Sequence, residues 1–466
     1  MATLAVTTVD LARIQFATTS IYHFIFVPLT LGLAPFVAIM QTLWYRTGVE
    51  AWLRLTKFFG TLLLINFAIG VATGLVQEFQ FGMNWSEYSR FVGGVFGAPL
   101  AIEGLAAFFL EATFLGLWIF GWDRLSPRLH LATIWLVVVG TWASAYFILI
   151  ANSWMQHPVG YKVVDGEAQL TDVGALLTNP FAAHAWLHVI LVGLTTASMV
   201  VLGVACWHLA RGRNIDLFRR AVALALVIGV PVTAANLAVG SRFGITVTSD
   251  QGMKIAASEA LWNTEKPAGF SLFQIGGFTQ SDQKPSFVIQ IPALLSFLAT
   301  GSFTAQVEGL NQLQQQEVEQ HGKGEYRPSV ATAYWAMRVM AYVGTLMFAI
   351  AALGAWLYRR RKLETARWYL WTAVGGIALP FVAATAGWVL TEVGRQPWIV
   401  QGLLKTADAN SPNVSSATIV SSLGVFVALY IVLGVVDFVL MRRYARLDPP
   451  PLREEAAPPA VPAPSF

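Results

Sequence analysis

Nine separate stretches of this sequence stay apolar for twenty residues or more, which leaves few folds open. A bilayer core is about 30 Å thick, and a helix needs about 20 residues to cross it. The stretches lie at 14–44, 58–81, 96–121, 131–153, 181–208, 219–241, 330–358, 367–393 and 415–441. They predict an all-α polytopic membrane protein with about nine transmembrane helices. Only 12% of residues are charged and 56% are hydrophobic, whereas soluble domains carry about 25% charged residues. The first apolar run, from near Ile14, is too long for the core of a cleavable leader. Asn179-Pro180 reads as an N-cap followed by a first-turn proline at the start of span 5.

Charge orients the chain. The segments at 45–57, 122–130, 209–220, 359–367 and beyond 441 hold 18 Lys and Arg, against 5 in the short segments on the other side, with the long loop 242–329 set aside because long loops translocate largely regardless of charge. Positive charge stays inside, so the N-terminus is expected outside and the C-terminus in the cytoplasm, which an odd number of spans satisfies. The net charge of +4 is therefore a topology signal, not a nucleic-acid footprint. The organisation reads as six spans within 1–241, an extracytoplasmic loop at 242–329, and three spans within 330–447. A Pro- and Ala-rich tail at 448–466 is expected to be disordered. Within the loop, Asn311 to Gln320 reads as a short polar helix.

The single cysteine, Cys206, rules out an intrachain disulfide and a covalent c-type haem. Histidine, methionine and acid side chains remain as ligands. Ionisable groups inside a membrane are functional-site candidates by default. At 1.5 Å per residue, His23 lies ~14 Å, His188 ~12 Å, Met340 ~15 Å and Glu103 ~10 Å from the outer ends of their spans. Glu392 lies at the outer end of span 8, followed by Arg395. Ligand-type residues from five spans thus share one half of the bilayer, which points to haem.

A His/Met pair suits a low-spin haem iron, and His188 and Met340 have matching depth. Arg338, two residues before Met340, is placed to offset propionate charge. A lone buried His or Met is also ordinary packing. Spacing does not choose between His184 and His188; depth favours His188. Glu103 and Glu111 lie eight residues apart, ~12 Å along a helix and about 80° around it, as two stations of a proton path. Trp388, one turn before Glu392, reads either as a neighbour of a haem on that glutamate or as an interfacial anchor. On residues alone, two other readings stay open: an ion-coupled transporter using the three glutamates, and a haem-anchoring electron-relay subunit.

The motifs narrow this. Tyr22-His23-Phe24, the run Asn66 to Gly74, Glu78-Phe79-Gln80-Phe81-Gly82, the run Phe96 to Gly104, and Gly394-Arg395-Gln396-Pro397-Trp398 stand in the order found in one family. The chain resembles subunit I of the cytochrome bd quinol oxidases over nearly its whole length. The likeness is weakest at 155–180, 270–330 and the tail. The resemblance implies a low-spin haem b on His188 and Met340, a high-spin haem b on Glu392, and a haem d, or a third haem b, on His23. It puts Glu103 beside the oxygen site and Glu111 on the proton route. Lys254 and Glu259, which alone read as a solvated face, become quinol-binding residues. It also implies a homologous second oxidase subunit, possible small single-span subunits, quinol and O2 as substrates, and the bacterial cytoplasmic membrane. The short stretch between Pro292 and span 7 matches the short-loop branch of the family.

Overall fold

The computed structural model describes residues 7–450. The end at 451–466, most of the tail for which disorder is expected, lies outside the described residues, as do residues 1–6. Among the described residues, nine helices are long and apolar enough to cross a membrane. Spans 1 to 5 are Thr8–Thr47, Glu50–Met83, Ser86–Phe120, Pro127–Gln156 and Pro180–Ala210. Spans 6 to 9 are Ile215–Asp250, Val330–Arg359, Arg367–Val393 and Ser416–Arg446. The all-α polytopic architecture expected from hydropathy is present.

Several helices outrun their apolar windows. Span 6 continues to Asp250 rather than ending near 241. Its last turns are polar, yet Thr248 and Ser249 bond back to Gly244 O and Thr246 O at 2.8 Å each and do not break the helix. Span 1 starts at Thr8 because Thr7 and Asp10 form a capping box. Span 3 starts at Ser86, whose backbone NH donates to Ser411 Oγ at 2.9 Å. Asn179 caps span 5 as expected, accepting from Phe181 N, with Pro180 in the first turn.

Spans 5 and 6 pack together, as do 1 and 2, and 7 and 8; span 1 also rests on span 5. The crossing of spans 1 and 5 needs small residues: a Cβ on Gly32 would fall 1.9 Å from Gly193 O. A large apolar core fills the half away from the long loop, with Phe36, Met40, Phe59, Val201, Phe218 and Tyr369 at its centre. A smaller cluster near the loop contains Tyr88, Phe96, Trp154 and Val400. The candidate ligands occupy the loop-side half, beyond the dense packing.

Outside the spans, three hairpins punctuate the chain: Tyr161–Val164 with Glu167–Leu170, Phe270–Gly276 with Pro285–Ile291, and Trp398–Val400 with Leu404–Lys405. The expected polar helix runs Leu310–His321. A short helix, Gly252–Ser258, carries Lys254 and delivers the chain to Glu259.

Candidate functional site

Three of the four candidate axial ligands stand against a glycine of a neighbouring helix. A Cβ on Gly74 of span 2 would come 3.1 Å from His23 Cε1. One on Gly240 of span 6 would come 3.1 Å from His188 Cε1, and one on Gly387 of span 8 would come 3.1 Å from Met340 Sδ. Helix interiors disfavour glycine; here its absent side chain lets a ligand-type group fit beside the next backbone.

The histidine hydrogen bonds single out donor atoms. Thr73 Oγ1 gives its one proton to Ile69 O or Gly70 O, so it accepts from His23 Nδ1 at 3.0 Å. That holds the proton on Nδ1 and leaves Nε2 as a lone-pair donor. His188 Nδ1 is buried without a hydrogen-bond partner among the described residues. His184, by contrast, has its Nδ1 engaged by Pro180 O at 2.9 Å and its ring stacked on Phe243. The structure thus separates two histidines that spacing leaves equivalent. Trp388 meets Phe24, the neighbour of His23, edge-on at 5.0 Å, and follows Gly387 beside Met340. It thus packs on span 1 next to the residue that follows His23.

Glu392 accepts from Asn152 Nδ2 at 3.0 Å and is paired with Arg395, whose other terminal nitrogen bonds Ile399 O. Lys254 is buried close by, with Nζ donating to Gln156 Oε1 at 2.7 Å. Burial, aided by the Arg395 charge and opposed by Glu392, holds the Lys254 ammonium down at about 7. Glu259 lies elsewhere in the loop. It forms a buried bidentate pair with Arg338, with contacts of 2.7 and 3.1 Å. Burial pushes the Glu259 carboxyl upward, and Arg338 offsets part of that.

The structure shows the partners of two sequence-based candidates. Lys254 and Glu259 do not share a partner: the turn after Ser258 sends one to the span 4 and span 8 ends and the other to span 7. Arg338 is also engaged by Glu259, Ser258 O and Ser271 O, and its guanidinium lies 3.8 Å from the Tyr334 ring centre. Its Nε has no partner among the described residues and is the donor left for another anion.

The geometry of the span 3 acids also differs from an ideal helix. Glu103 opens a π-helical turn running to Phe108. Such a turn absorbs about one residue, roughly 100° of rotation, so the expected 80° offset nearly closes. Both carboxylates consequently meet span 4: Ser144 donates to Glu103 at 2.6 Å and Thr141 to Glu111 at 2.9 Å. Sequence reasoning did not select Thr73, Thr141, Ser144, Asn152 or Gln156. Asn152 and Gln156, polar and one turn apart at the end of an apolar run, carried the available signal.

The fold is that of an all-α polytopic membrane protein carrying intramembrane His, Met and acid side chains of the kinds that ligate haem iron. The chain belongs to the cytochrome bd terminal oxidase subunit I family, whose profile matches residues 11–449. It is similar to cytochrome bd ubiquinol oxidase subunit 1 of Bacillus subtilis (strain 168), with 46% identity covering 91% of this chain and 90% of that one. It is also similar to cytochrome bd-II ubiquinol oxidase subunit 1 of Escherichia coli (strain K12), with 36% identity covering 96% and 98%. Among solved structures, it matches the bd oxidase from Geobacillus thermodenitrificans with a TM-score of 0.86 at 30% identity, covering 95% and 99%. The chain is thus an enzyme subunit of a bacterial terminal oxidase, a class that binds haem and works with a second subunit. Membership sets aside the transporter and electron-relay readings.

Proposed function

We propose that this chain oxidises quinol at its outer loop and reduces O2 to water inside the membrane, drawing protons from the cytoplasm. The observation that carries this is the set of three glycine positions that clear space at His23, His188 and Met340. Together with the orphaned Nδ1 of His188 and Nε of Arg338, it supports a fit to haem. Haem bound there supplies the electron path from quinol to O2: a low-spin haem b on His188 and Met340, a high-spin haem b on Glu392, and a haem d or third haem b on His23.

The residues themselves do the positioning. Thr73 fixes the His23 ring and its tautomer, as partners of iron-binding imidazoles do. Arg338 brings positive charge toward the propionates, and Trp388 packs edge-on against Phe24 beside His23. Asn152 and Arg395 orient the Glu392 carboxylate. Glu111 and then Glu103 carry protons outward along span 4, each held by one hydroxyl. Lys254 and Glu259 line the quinol-binding part of the loop. Quinol protons leave outside while those for water enter from the cytoplasm, so charge is separated without a pump. The chain then lies in the cytoplasmic membrane with its N-terminus outside, among lipids. It works with a homologous second subunit and, in some assemblies, small single-span subunits.

The test is a reduced-minus-oxidised spectrum of purified oxidase with haem extraction. Wild type shows one low-spin and two high-spin species. His188→Ala removes the low-spin bands, and His23→Ala removes the oxygen-binding species. Retention of all bands in either variant rejects the assignment.

A further inference from the structure

A polar cavity of about 110 Å³ lies at the outer face, between the end of span 6, the helix Leu310–His321 and the segment after span 8. Lys254 and Arg395 line its inner side, and Asp250, Glu317, Tyr326 and Trp398 line the rest. At about 30 Å³ per water it holds roughly three or four. Pockets for organic ligands are larger, roughly 300–1,000 Å³. This is a water space rather than a seat for a quinol ring.

Its charges are ordered. Two cations stand at the inner side and two carboxylates at the rim, and each carboxylate faces a histidine. Glu317 Oε2 lies 3.8 Å from His321 Nε2 and accepts from Trp398 Nε1 at 3.3 Å. Asp250 Oδ2 lies 3.6 Å from His157 Nδ1. Lys405, the remaining cation near Glu317, is turned to Tyr326 OH at 3.2 Å. No Lys or Arg lies within ion-pair distance of Glu317 among the described residues. Cations inside and acids outside favour movement of a proton toward the rim.

We propose that this cavity is the outlet for quinol protons and that Glu317 is the relay carboxylate at its mouth. The proposal rests on the quinol-oxidase reading above. Oxidation of one quinol breaks two O–H bonds, gives up two electrons one at a time to the haem that His188 and Met340 would hold, and frees two protons. Each proton crosses the cavity water, binds a Glu317 oxygen and leaves to the outer solution, which restores the carboxylate. His321 orients Glu317, and Lys254, Arg395, Asp250 and Lys405 set the field around it.

The experiment uses the complete purified oxidase. Glu317→Gln lowers quinol-driven kcat about tenfold, a modest share of what acid–base groups supply, with KM and the visible spectrum unchanged. O2 uptake driven by tetramethyl-p-phenylenediamine, a one-electron donor that releases no proton, stays at the wild-type rate. Glu317→Asp restores most of the quinol rate, and Gln320→Trp, which roofs the mouth, reproduces the selective slowing. The proposal is overturned if Glu317→Gln oxidises quinol within twofold of wild type, or if both donors slow equally. A wild-type enzyme without quinol-driven O2 uptake sinks the underlying functional reading instead.

Discussion

Glu103 and Glu111, eight residues apart, both accept a hydrogen bond from a hydroxyl of span 4, Ser144 and Thr141 respectively. The π turn that begins at Glu103 makes this possible, because it removes most of the angular offset an ideal helix would leave. π turns recur at functional sites, and here the turn brings both acids to face span 4.

Deleting Ala106 would leave the acids aligned, whereas inserting one alanine after Ala106 adds a residue beyond the one the π turn absorbs and swings Glu111 about 100° from Thr141. Quinol-driven O2 uptake falls by about 10²-fold or more, whereas Ala106→Gly leaves it near wild type. Oxygen consumption by purified enzyme, with haem content as the control, decides the matter. Equal rates for the insertion and the point variant refute the alignment.

Gly240→Ala and Gly387→Ala force His188 and Met340 to shift, because the new Cβ lies 3.1 Å from each ligand group. Groups that orient an iron ligand are worth roughly 10–100-fold in affinity. Low-spin haem occupancy is expected to fall in both variants, while Gly74→Ala spares that haem and perturbs the His23 species. Visible spectra at known haem stoichiometry check this. Normal low-spin bands in both variants contradict it.

Glu392→Ala is expected to remove one high-spin haem signal and keep the low-spin bands. The neighbouring Asn152→Leu takes away only one hydrogen bond, of 3.0 Å, and shifts the same signal without abolishing it. Loss of the low-spin bands in Glu392→Ala would reverse the assignment.

The Arg338–Glu259 pair is buried on both sides. Removing one partner of such a pair costs about 3–5 kcal/mol, because the other charge is stranded. Arg338→Met and Glu259→Leu are each expected to lower the thermal midpoint strongly, and the double variant to recover much of the loss. Additive losses in the double-mutant cycle would show that the two side chains are not coupled.

Lys254 titrates near 7 in the fold, against its ordinary 10.5, chiefly through burial. A base with a depressed folded pKa destabilises fully below the folded value. The penalty shrinks as pH rises toward the unfolded value, at about 1.4 kcal/mol per unit. Lys254→Met is therefore more stable than wild type at pH 7, and its advantage narrows by pH 9. A stability gap that stays constant between those pH values argues against the burial.

Much of this was legible in the sequence. Apolar length marks the spans, because a bilayer demands helices of a set length whatever their order. Lys and Arg counts suggest orientation, and the spacing of His23, His188, Met340 and Glu392 from the span ends puts them in one half. Helix ends were less legible. Hydropathy stops at the polar turns after 241, but the backbone hydrogen bonds of span 6 do not stop until Asp250.

The chain alone determined which stretches are long and apolar enough to span a membrane and how far each candidate residue lies from its span end. Tertiary structure decided which way they face and what they meet: Glu259 with Arg338, Lys254 with Gln156, Glu111 with Thr141, and a glycine beside each of His23, His188 and Met340. The reason is physical. A soluble helix shows its buried face by its apolar stripe, but a membrane helix is apolar nearly all round. Its rotation is then set by close packing and by the few polar groups that must find partners across neighbouring helices.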